Sequence, residues 1–460
     1  MNHLIRSKLC GVLVVAALLP LPGIVSADEA NDDLKAQIES LEEQLAQLRQ
    51  ALETVKDQAA SKQEIGELKR QVAEEVTTLK GDVADASEWK SPNTLIHMAG
   101  YADVGYTDQE NSDGSFNVGT FAPIFHYQYK DRVLLESELE FGVEEDGSTE
   151  VALEYLTIDY FLNDYVTIQG GKFLSPIGQF RQNVHPSWIN KLASAPPGFG
   201  HDGAAPVSDV GFQVRGGFPV GGAFANYAAF VSNGPELIAT EEDEEFELEG
   251  IEAEGFGSDA DGDKVIGGRF GFLPLPGLEI GVSVATGKAS VTSIEGGHAE
   301  EEEEGEEEPH VAGKFTGRVA DVGGGESAEV AGLGEEPGRD YDVFGFDFLW
   351  SLSDLQLRGE YVRSEIGSDN VGFTASKGAT WETWYSQAAY RVASSKWEAV
   401  VRYSDFNSPH SSGDQQQWAA GLNYLFTPSF IGKFTYEFND GQHDTSADSN
   451  RWLVQLAYGF

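Results

Sequence analysis

Charged side chains recur at every second position along short apolar segments of this sequence. In one such segment Glu136, Glu138 and Glu140 alternate with Leu135 and Leu139. Period-two alternation places the charged residues on one face of a β-strand and the apolar residues on the other. Charged groups that line a low-dielectric passage raise or lower the local concentration of an ion. The chemistry that this pattern predicts is electrostatic selection of ions or polar solutes.

Motifs for covalent or cofactor chemistry are missing from the sequence. It contains no nucleophile elbow, no HExxH zinc helix and no P-loop. Gly198, Gly200 and Gly203 match a dinucleotide fingerprint in spacing only, because they open no helix of a βαβ unit. We therefore predict neither an enzyme nor a cofactor. A hydrolase that uses a scattered Ser and His on the wall of a barrel is the enzymatic alternative.

Two acidic stretches raise the question of a metal site. In residues 300–308 eight of the nine residues are Glu, and His298 and His310 flank them. Carboxylates and imidazoles can hold divalent ions, but fixed ligand spacing is lacking here, so a solvated, cation-rich loop is favoured. Residues 259–263 resemble a calcium loop, yet Lys264 stands where that pattern needs Gly. No metal site is predicted.

Strands must position the charged residues. From Trp89 to Phe460 the apolar period is two, and about sixteen segments alternate in this way, an even number that suits a bacterial outer-membrane barrel. The pore-lining residues predicted from their inward positions are Lys130, Glu136, Glu138, Glu140, Arg215, Arg269, Arg358, Glu360, Arg391, Arg402 and Lys433, together with Glu398, Glu437 and Arg451. For any one of them, a cross-strand ion pair in a hydrated lumen is the alternative interpretation.

The connections between these strands alternate between short turns and long loops. Short periplasmic turns and long external loops are typical of outer-membrane barrels. Three connections are long: residues 174–206, and the acidic external loops at 233–263 and 288–340, which we expect to be solvated and partly disordered. The predicted fold class is all-β: a transmembrane antiparallel β-barrel of about 16 strands, preceded by an α-helical coiled coil.

The first part of the chain predicts export followed by a helix. Residues 1–27 have the basic, apolar and small-residue regions of a signal peptide, and they contain Cys10, the only cysteine. In residues 28–88 apolar residues such as Leu34, Ile38 and Leu41 are spaced alternately by four and three, the a/d seam of a coiled coil. Strand parity places this segment and Phe460 in the periplasm. A single amphipathic helix packed on the barrel is the alternative.

Composition excludes some partners. The formal net charge is −46, from 76 acidic and 30 basic residues. Such a charge argues against nucleic acid as a partner. The strand pattern and the predicted signal peptide assign residues 89–460 to a barrel in the outer membrane of a Gram-negative bacterium, with lipid and lipopolysaccharide around it.

Three short segments resemble a known family. Residues 170–178 (GGKFLSPIG), 185–191 (HPSWINK) and 421–428 (GLNYLFTP) are similar to the phosphate-selective porin O and P family. A coiled coil before such a barrel is similar to the arrangement in dicarboxylate-type trimeric porins, which implies a homotrimer. The terminal Tyr458 and Phe460 resemble the closing strand of such barrels, whose last aromatic is read by the barrel-assembly machinery.

The resemblance also implies a function and a constriction. In trimeric porins the third long loop folds into the lumen, which here implies a constriction in residues 174–206 with Arg181, His185, Lys191 and His201, opposed by Asp202. The predicted function is passive diffusion of small hydrophilic solutes, with a lean to anions such as phosphate or dicarboxylates. The acidic loops argue for cations instead. The alternative function is a structural, tethering or metal-binding barrel that uses the coiled coil and the acidic loops.

Overall fold

The computed structural model divides the chain into two compact units, Met1–Ser91 and Pro92–Phe460. It describes residues 27–57, 70, 76–77, 94–144, 147–200, 203–242, 245–257, 259, 262–295, 338–369, 378–409, 413–442 and 446–460. The predicted signal peptide lies outside the described residues except for Ala27, as does most of the second half of the predicted coiled coil.

The first unit contains one long helix among its described residues, α1 (Ala27–Asp57). Ile38, Leu45 and Leu48 of the predicted a/d seam are exposed to solvent. The helix therefore presents an apolar stripe, and the coiled coil stays a prediction. In the described part of the chain, no helix is long and apolar enough to cross a membrane.

The second unit contains the barrel, with sixteen strands in one closed sheet. Every neighbouring pair is antiparallel. In chain order the strands are β1 (Thr94–Gln109), β2 (Ser115–Tyr129), β3 (Val133–Val143), β4 (Thr149–Asn163), β5 (Val166–Leu174), β6 (Ser208–Val220), β7 (Ala223–Ser232), β10 (Val265–Leu275), β11 (Leu278–Ala289), β13 (Arg339–Leu352), β14 (Leu355–Ile366), β15 (Ala379–Arg391), β16 (Trp397–Asn407), β17 (Gln415–Thr427), β18 (Phe430–Gly441) and β19 (Arg451–Gly459). The predicted sixteen-stranded antiparallel barrel is confirmed.

The last strand closes the barrel on the first. β1 pairs with β19 from Tyr101↔Gly459 to Gln109↔Arg451. At the chain terminus the Phe460 amide donates to the Gly100 carbonyl at 2.9 Å, and the Gly100 amide donates to the Phe460 carbonyl at 3.0 Å. Because the first and last strands pair with each other, the barrel sheet has no unpaired edge strand.

Alternation along the strands separates an apolar outer face from a mixed inner face. On β13 Phe344 and Phe346 are exposed on the outside, whereas Val343 and Asp347 are buried on the inside. Aromatic pairs such as Trp397 with Tyr424 also lie on the outer face, with ring centroids 4.9 Å apart. An outer surface of this kind suits lipid, because its side chains are apolar and its backbone groups are already hydrogen-bonded within the barrel.

A second, smaller sheet was not expected from the sequence. It has three strands, β8 (Glu236–Glu242), β9 (Glu245–Glu252) and β12 (Val291–Glu295), in the order β12-β8-β9. The first two lie in residues 233–263, for which we expected a solvated and partly disordered loop. That expectation was wrong for these strands, because Leu237, Ala239 and Ile251 are buried between the acidic residues. Of the other acidic loop, residues 296–337 lie outside the described residues.

Candidate functional site

The long connection between β5 and β6, residues 175–207, is called L3 here. It begins with backbone groups that bond to inner-face side chains. The Gly178 amide donates to Ser283 Oγ of β11 at 3.0 Å, and the Phe180 amide donates to Glu360 Oε2 of β14 at 3.0 Å. Because Ser283 and Glu360 alternate with outward residues of their strands, L3 lies inside the lumen, as the resemblance implied.

Gly178 shows how closely L3 approaches the wall. Its φ is +72°, in the left-handed region that favours glycine. A Cβ atom at this position would lie within 1.7 Å of Glu360 Oε1. Backbone conformation and space therefore both favour glycine at this point.

The middle of L3 is fastened to β16 by Arg402. Its guanidinium donates through Nη1 to the Ser194 carbonyl and through Nη2 to the Ala195 carbonyl, both at 3.0 Å. Nη2 also donates to Gln417 Oε1 of β17 at 2.8 Å. Only 1% of Arg402 is exposed. This cation, predicted to line the pore, is covered by L3.

Lys433 makes a similar attachment from β18, two strands from β16. Its ammonium donates to the carbonyls of Ser187 and Leu192, the latter at 3.1 Å, and to Gln455 Oε1 of β19 at 2.8 Å. Exposure of Lys433 is 3%. An ammonium group has three donors, and all three are used by these partners.

Lys191, a predicted constriction residue, pairs with the wall. Its ammonium lies 2.9 Å from Glu398 Oε2 of β16. The carbonyl of the same residue accepts from Asn423 Nδ2 of β17 at 2.7 Å. Lys191 is partly exposed, so its charge faces the water of the lumen only in part.

The last part of L3 is held by hydroxyl groups. Thr383 Oγ1 of β15 donates to the Pro197 carbonyl at 2.7 Å, and Ser364 Oγ of β14 donates to the Ala204 carbonyl at 2.7 Å. L3 is thus attached along its length to strands β11 and β14–β18. A loop with this many attachments is a fixed part of the lumen.

Apolar packing fills the space between L3 and one side of the wall. One buried cluster contains residues of L3, of the inner face of β5, β7, β10, β11 and β13–β15, and of the small sheet, including Phe173, Ile177, Phe180, Phe199, Leu237, Leu248, Val343, Trp381 and Tyr385. Water is excluded from this side of the lumen by the packing.

Arg181 and His185 lie on the opposite side of L3, toward β1, β3 and β4. Arg181 is buried, and within the described residues its Nε and Nη2 atoms have no hydrogen-bond partner. Burial lowers the pKa of its guanidinium, and the nearby carboxylates of Glu154 and Glu254 oppose that effect. His185 Nδ1 contacts the Arg181 carbonyl, and its Nε2 lies 3.7 Å from Glu138 Oε1. The two predicted residues therefore face acidic groups of the wall.

Other charged residues of the inner face form cross-strand pairs. Arg269 contacts Asp347 through Nε at 2.8 Å and Nη2 at 2.6 Å, and it contacts Glu279 at 3.0 Å. Arg215 contacts Asp159, and its side chain is 40% exposed. These pairs agree with the alternative interpretation, in which inner-face charges neutralise each other across strands.

A further group of inner-face residues remains partly exposed next to L3. Glu136 Oε1 lies 2.8 Å from Nε2 of His126, which is also partly exposed. Glu140 accepts from Thr120 Oγ1 at 2.8 Å. Arg451 of β19 pairs with Glu437 and is partly exposed. The wall of β1–β4 and β19 therefore borders the polar, hydrated side of the lumen.

The other predicted site residues lie in a turn or at a strand end, are buried, or fall outside the described residues. Lys130 lies in the turn after β2 with a φ of +51° and stands 4.7 Å from the centroid of the Tyr129 ring. Arg391 is exposed at the end of β15, and Arg358 is buried and donates to Gln356 at 2.8 Å. His201 and Asp202 lie outside the described residues.

Several residues that hold L3 were not predicted. They are neutral polar residues of the inner face. Five of them contact L3 directly, namely Ser283, Ser364, Thr383, Asn423 and Thr435, and Gln417 accepts from Arg402. The signal that could have found them is their period-two position among apolar outward residues. The pore-lining residues predicted from the sequence are all charged, so these neutral residues are not among them.

Comparison with known families finds a match to the C-terminal part of the chain. Residues 315–460 match the family model of phosphate-selective porin O and P. The resemblance to this porin family is confirmed. The match covers β13–β19, the strands that complete the barrel and hold most of L3. Together the family and the closed barrel support an outer-membrane channel.

Solved structures of outer-membrane proteins are similar to this chain at low identity. They include an anion-selective porin from Comamonas acidovorans (13% identity, 80% of this chain and 100% of that chain, TM-score 0.49), a loop-deletion mutant of OmpT, an outer membrane protein of Vibrio cholerae (12%, 80% and 100%, 0.49), and the outer membrane channel DcaP of Acinetobacter baumannii (12%, 80% and 98%, 0.45). No curated protein matches this chain.

Proposed function

We propose that this protein is an outer-membrane porin through which small hydrophilic solutes diffuse passively. The observation that carries the proposal is the position of L3: it lies inside a closed sixteen-stranded barrel, while part of the polar inner wall beside it stays exposed. A barrel of this size leaves an aqueous channel unless side chains or loops fill it. L3 and the apolar cluster fill one side of the lumen and leave the other side to water.

The constriction in this proposal lies between L3 and the inner faces of β1, β3 and β4. His185 of L3 lies 3.7 Å from Glu138, and the carboxylate of Glu154 is close to Arg181. Because Arg181, Glu138 and Glu154 are buried, the passage runs beside this contact. Opposite charges across a narrow passage orient a polar solute and hold water in it. Lys191 contributes from the other flank of L3, where Glu398 neutralises it in part.

The family name suggests phosphate or other anions, including dicarboxylates, as solutes. The inner wall gives this lean limited support, because Arg402 and Lys433 direct their donors at L3. Carboxylates such as Glu136 and Glu140 border the hydrated side. We therefore propose a general diffusion pore whose lean to anions is weak.

The remaining parts of the chain fit an exported, trimeric porin. A signal peptide at residues 1–27 would direct export, and the exposed apolar stripe of α1 would be covered in a coiled coil of three chains in the periplasm. Tyr458 and Phe460 would be read by the barrel-assembly machinery. Lipid and lipopolysaccharide would surround the apolar outer face.

Planar-bilayer recording of the purified full chain tests the proposal. We expect discrete conductance steps that grow with KCl concentration, together with swelling of liposomes in small sugars. A heat-unfolded sample at the same detergent concentration is the control. Intact, inserted protein that gives neither steps nor swelling would overturn the proposal and favour a structural barrel.

A further inference from the structure

We infer that Arg402 and Lys433 are positioning residues that fix L3 and thereby set the width of the pore, and that they do not attract anions. The inference rests on the proposed porin function and assigns a role to two basic residues on the inner wall. Both stand at inward positions where a charged side chain would ordinarily be expected to face the passage.

The first step of the argument is the direction of the donors. The ammonium of Lys433 donates its three hydrogen bonds to Ser187, Leu192 and Gln455, so no donor is left for an ion in the passage. Arg402 directs both of its terminal nitrogens at the Ser194 and Ala195 carbonyls and at Gln417. At 1% and 3% exposure, neither residue is open to a solute.

The second step concerns the acceptors. The carbonyls of Ser187, Leu192, Ser194 and Ala195 belong to one short stretch of L3, which crosses β16–β18. Hydrogen bonds to a charged donor are about twice as strong as neutral ones. Two buried cations therefore hold this stretch more firmly than the hydroxyl contacts hold the rest of L3.

The third step is the shape of the wall beneath this stretch. Leu192 is fully buried over Gly421 of β17, where a Cβ atom would lie 2.5 Å from Leu192 Cδ2. Trp188 lies over Gly459 of β19, with a corresponding distance of 2.6 Å. Glycines at these two points let L3 lie close to the wall while Arg402 and Lys433 hold it there, which leaves the remaining width to the passage.

The test uses Arg402→Met and Lys433→Met in the full chain, with Arg215→Gln as a matched control. Arg215 is a lumen cation with an exposed side chain that pairs with Asp159 on β4. If the inference holds, the two Met variants give open states that are noisier and roughly twofold more conductive, since L3 no longer stays against the wall. Their reversal potential in a KCl gradient should shift no more than that of Arg215→Gln. Lys433→Arg and Arg402→Lys should restore part of the wild-type behaviour.

A second readout is independent of conduction. Ala193→Cys is placed on L3 in wild type and in each Met variant, and reaction with a membrane-impermeant thiol reagent is timed in the folded protein. The Ala193 amide donates to Thr435 Oγ1 at 3.2 Å in the held position. Labelling should become roughly tenfold faster in the Met variants, because the loss of a hydrogen bond to a charged group changes a local opening equilibrium by about that factor.

The outcomes separate this inference from the proposed function. A wild-type protein that inserts but does not conduct would refute the porin proposal, and the labelling rates would still decide the role of the two cations. Unchanged labelling, or lower conductance with a cation-directed shift larger than that of Arg215→Gln, would overturn the inference, because those are the results expected of exposed anion-attracting residues.

Discussion

Arg269 on β10 is a cation of the inner wall that pairs with two carboxylates. Its guanidinium contacts Asp347 on β13 through two nitrogens and also contacts Glu279 on β11. Gly281 lies beneath this group, and a Cβ atom there would come within 2.4 Å of Arg269 Nη2. Three strands are therefore joined by one buried ion network, whose geometry is of the bidentate kind.

Removal of one partner from this network should be costly. We expect Asp347→Asn to lower the free energy of unfolding by about 3–5 kcal/mol, because it leaves Arg269 buried with half of its compensation. The measurement is a urea midpoint of the barrel in lipid or detergent. Glu365→Gln is the control: its pair with Arg363 is 2.9 Å long, but the side chains are 54% and 44% exposed, so the loss should be about 0–1 kcal/mol. Equal effects of the two variants would contradict the assignment of a buried network.

At the scale of elements, the position of L3 depends on a wall without bulky side chains beneath it as well as on its hydrogen bonds. Gly421 on β17 faces inward under Leu192, whereas its neighbour Ala420 faces outward. We expect Gly421→Val to destabilise the barrel by about 1–3 kcal/mol and to displace L3, since the buried Leu192 cannot move aside without strain. Ala420→Val is the matched control and should have little effect. The measurements are the urea midpoint and the mean single-channel conductance. Wild-type values of both in Gly421→Val would show that a larger side chain fits beneath Leu192.

The small sheet of β8, β9 and β12 is an element whose stability rests on few residues. Leu237 of β8 is fully buried, while Ile238 points to the other face and is partly exposed. Leu237→Ala should loosen the sheet by about 2–5 kcal/mol, since it leaves a cavity in the cluster with L3. Limited proteolysis of the folded barrel measures this: cleavage in residues 236–256 should accelerate in Leu237→Ala and stay slow in Ile238→Ala. Similar rates in both variants would mean that the sheet is not held by this face.

Elements were predictable from the sequence where alternation and turn residues agree. The barrel strands follow from period two, and the short turns between them follow from its interruption. β8 and β9 were missed because Glu residues occupy the polar positions of a strand pattern, so the charge of the segment concealed Leu237, Leu248 and Ile251. For Arg402 and Lys433 the sequence predicted the inward direction. It could not show that L3 covers them, because that depends on contacts more than 200 residues apart in the chain.

For the whole molecule, the distribution of charge decides how the pore treats ions. On the inner face Arg402 and Lys433 are covered by L3 and Arg269 is paired, whereas many of the acidic residues that give the net charge of −46 lie in the long connections. In the proposed porin, a field from those connections would act on ions before they reach L3, and salt would screen it within about 10 Å at 0.1 M. The charges of the proposed constriction would be screened much less, because they lie in a partly dry lumen.

Ion preference should therefore depend on salt concentration. We expect the reversal potential, measured under a fixed KCl ratio, to be directed to cations near 0.01 M, where the screening length is about 30 Å, and to move toward zero or toward anions near 1 M, where it is about 3 Å. Replacement of the Glu residues in 300–308 by Gln should remove much of the low-salt cation preference and leave the high-salt value unchanged, because only the external field is altered. Gln substitutions at Glu365 and Glu382, which lie on the outer face of the barrel, serve as the matched control for lost acidic charge. A reversal potential that is the same at both salt concentrations would place ion selection at L3 alone, since only charges in the narrow part of the pore act over distances shorter than the screening length.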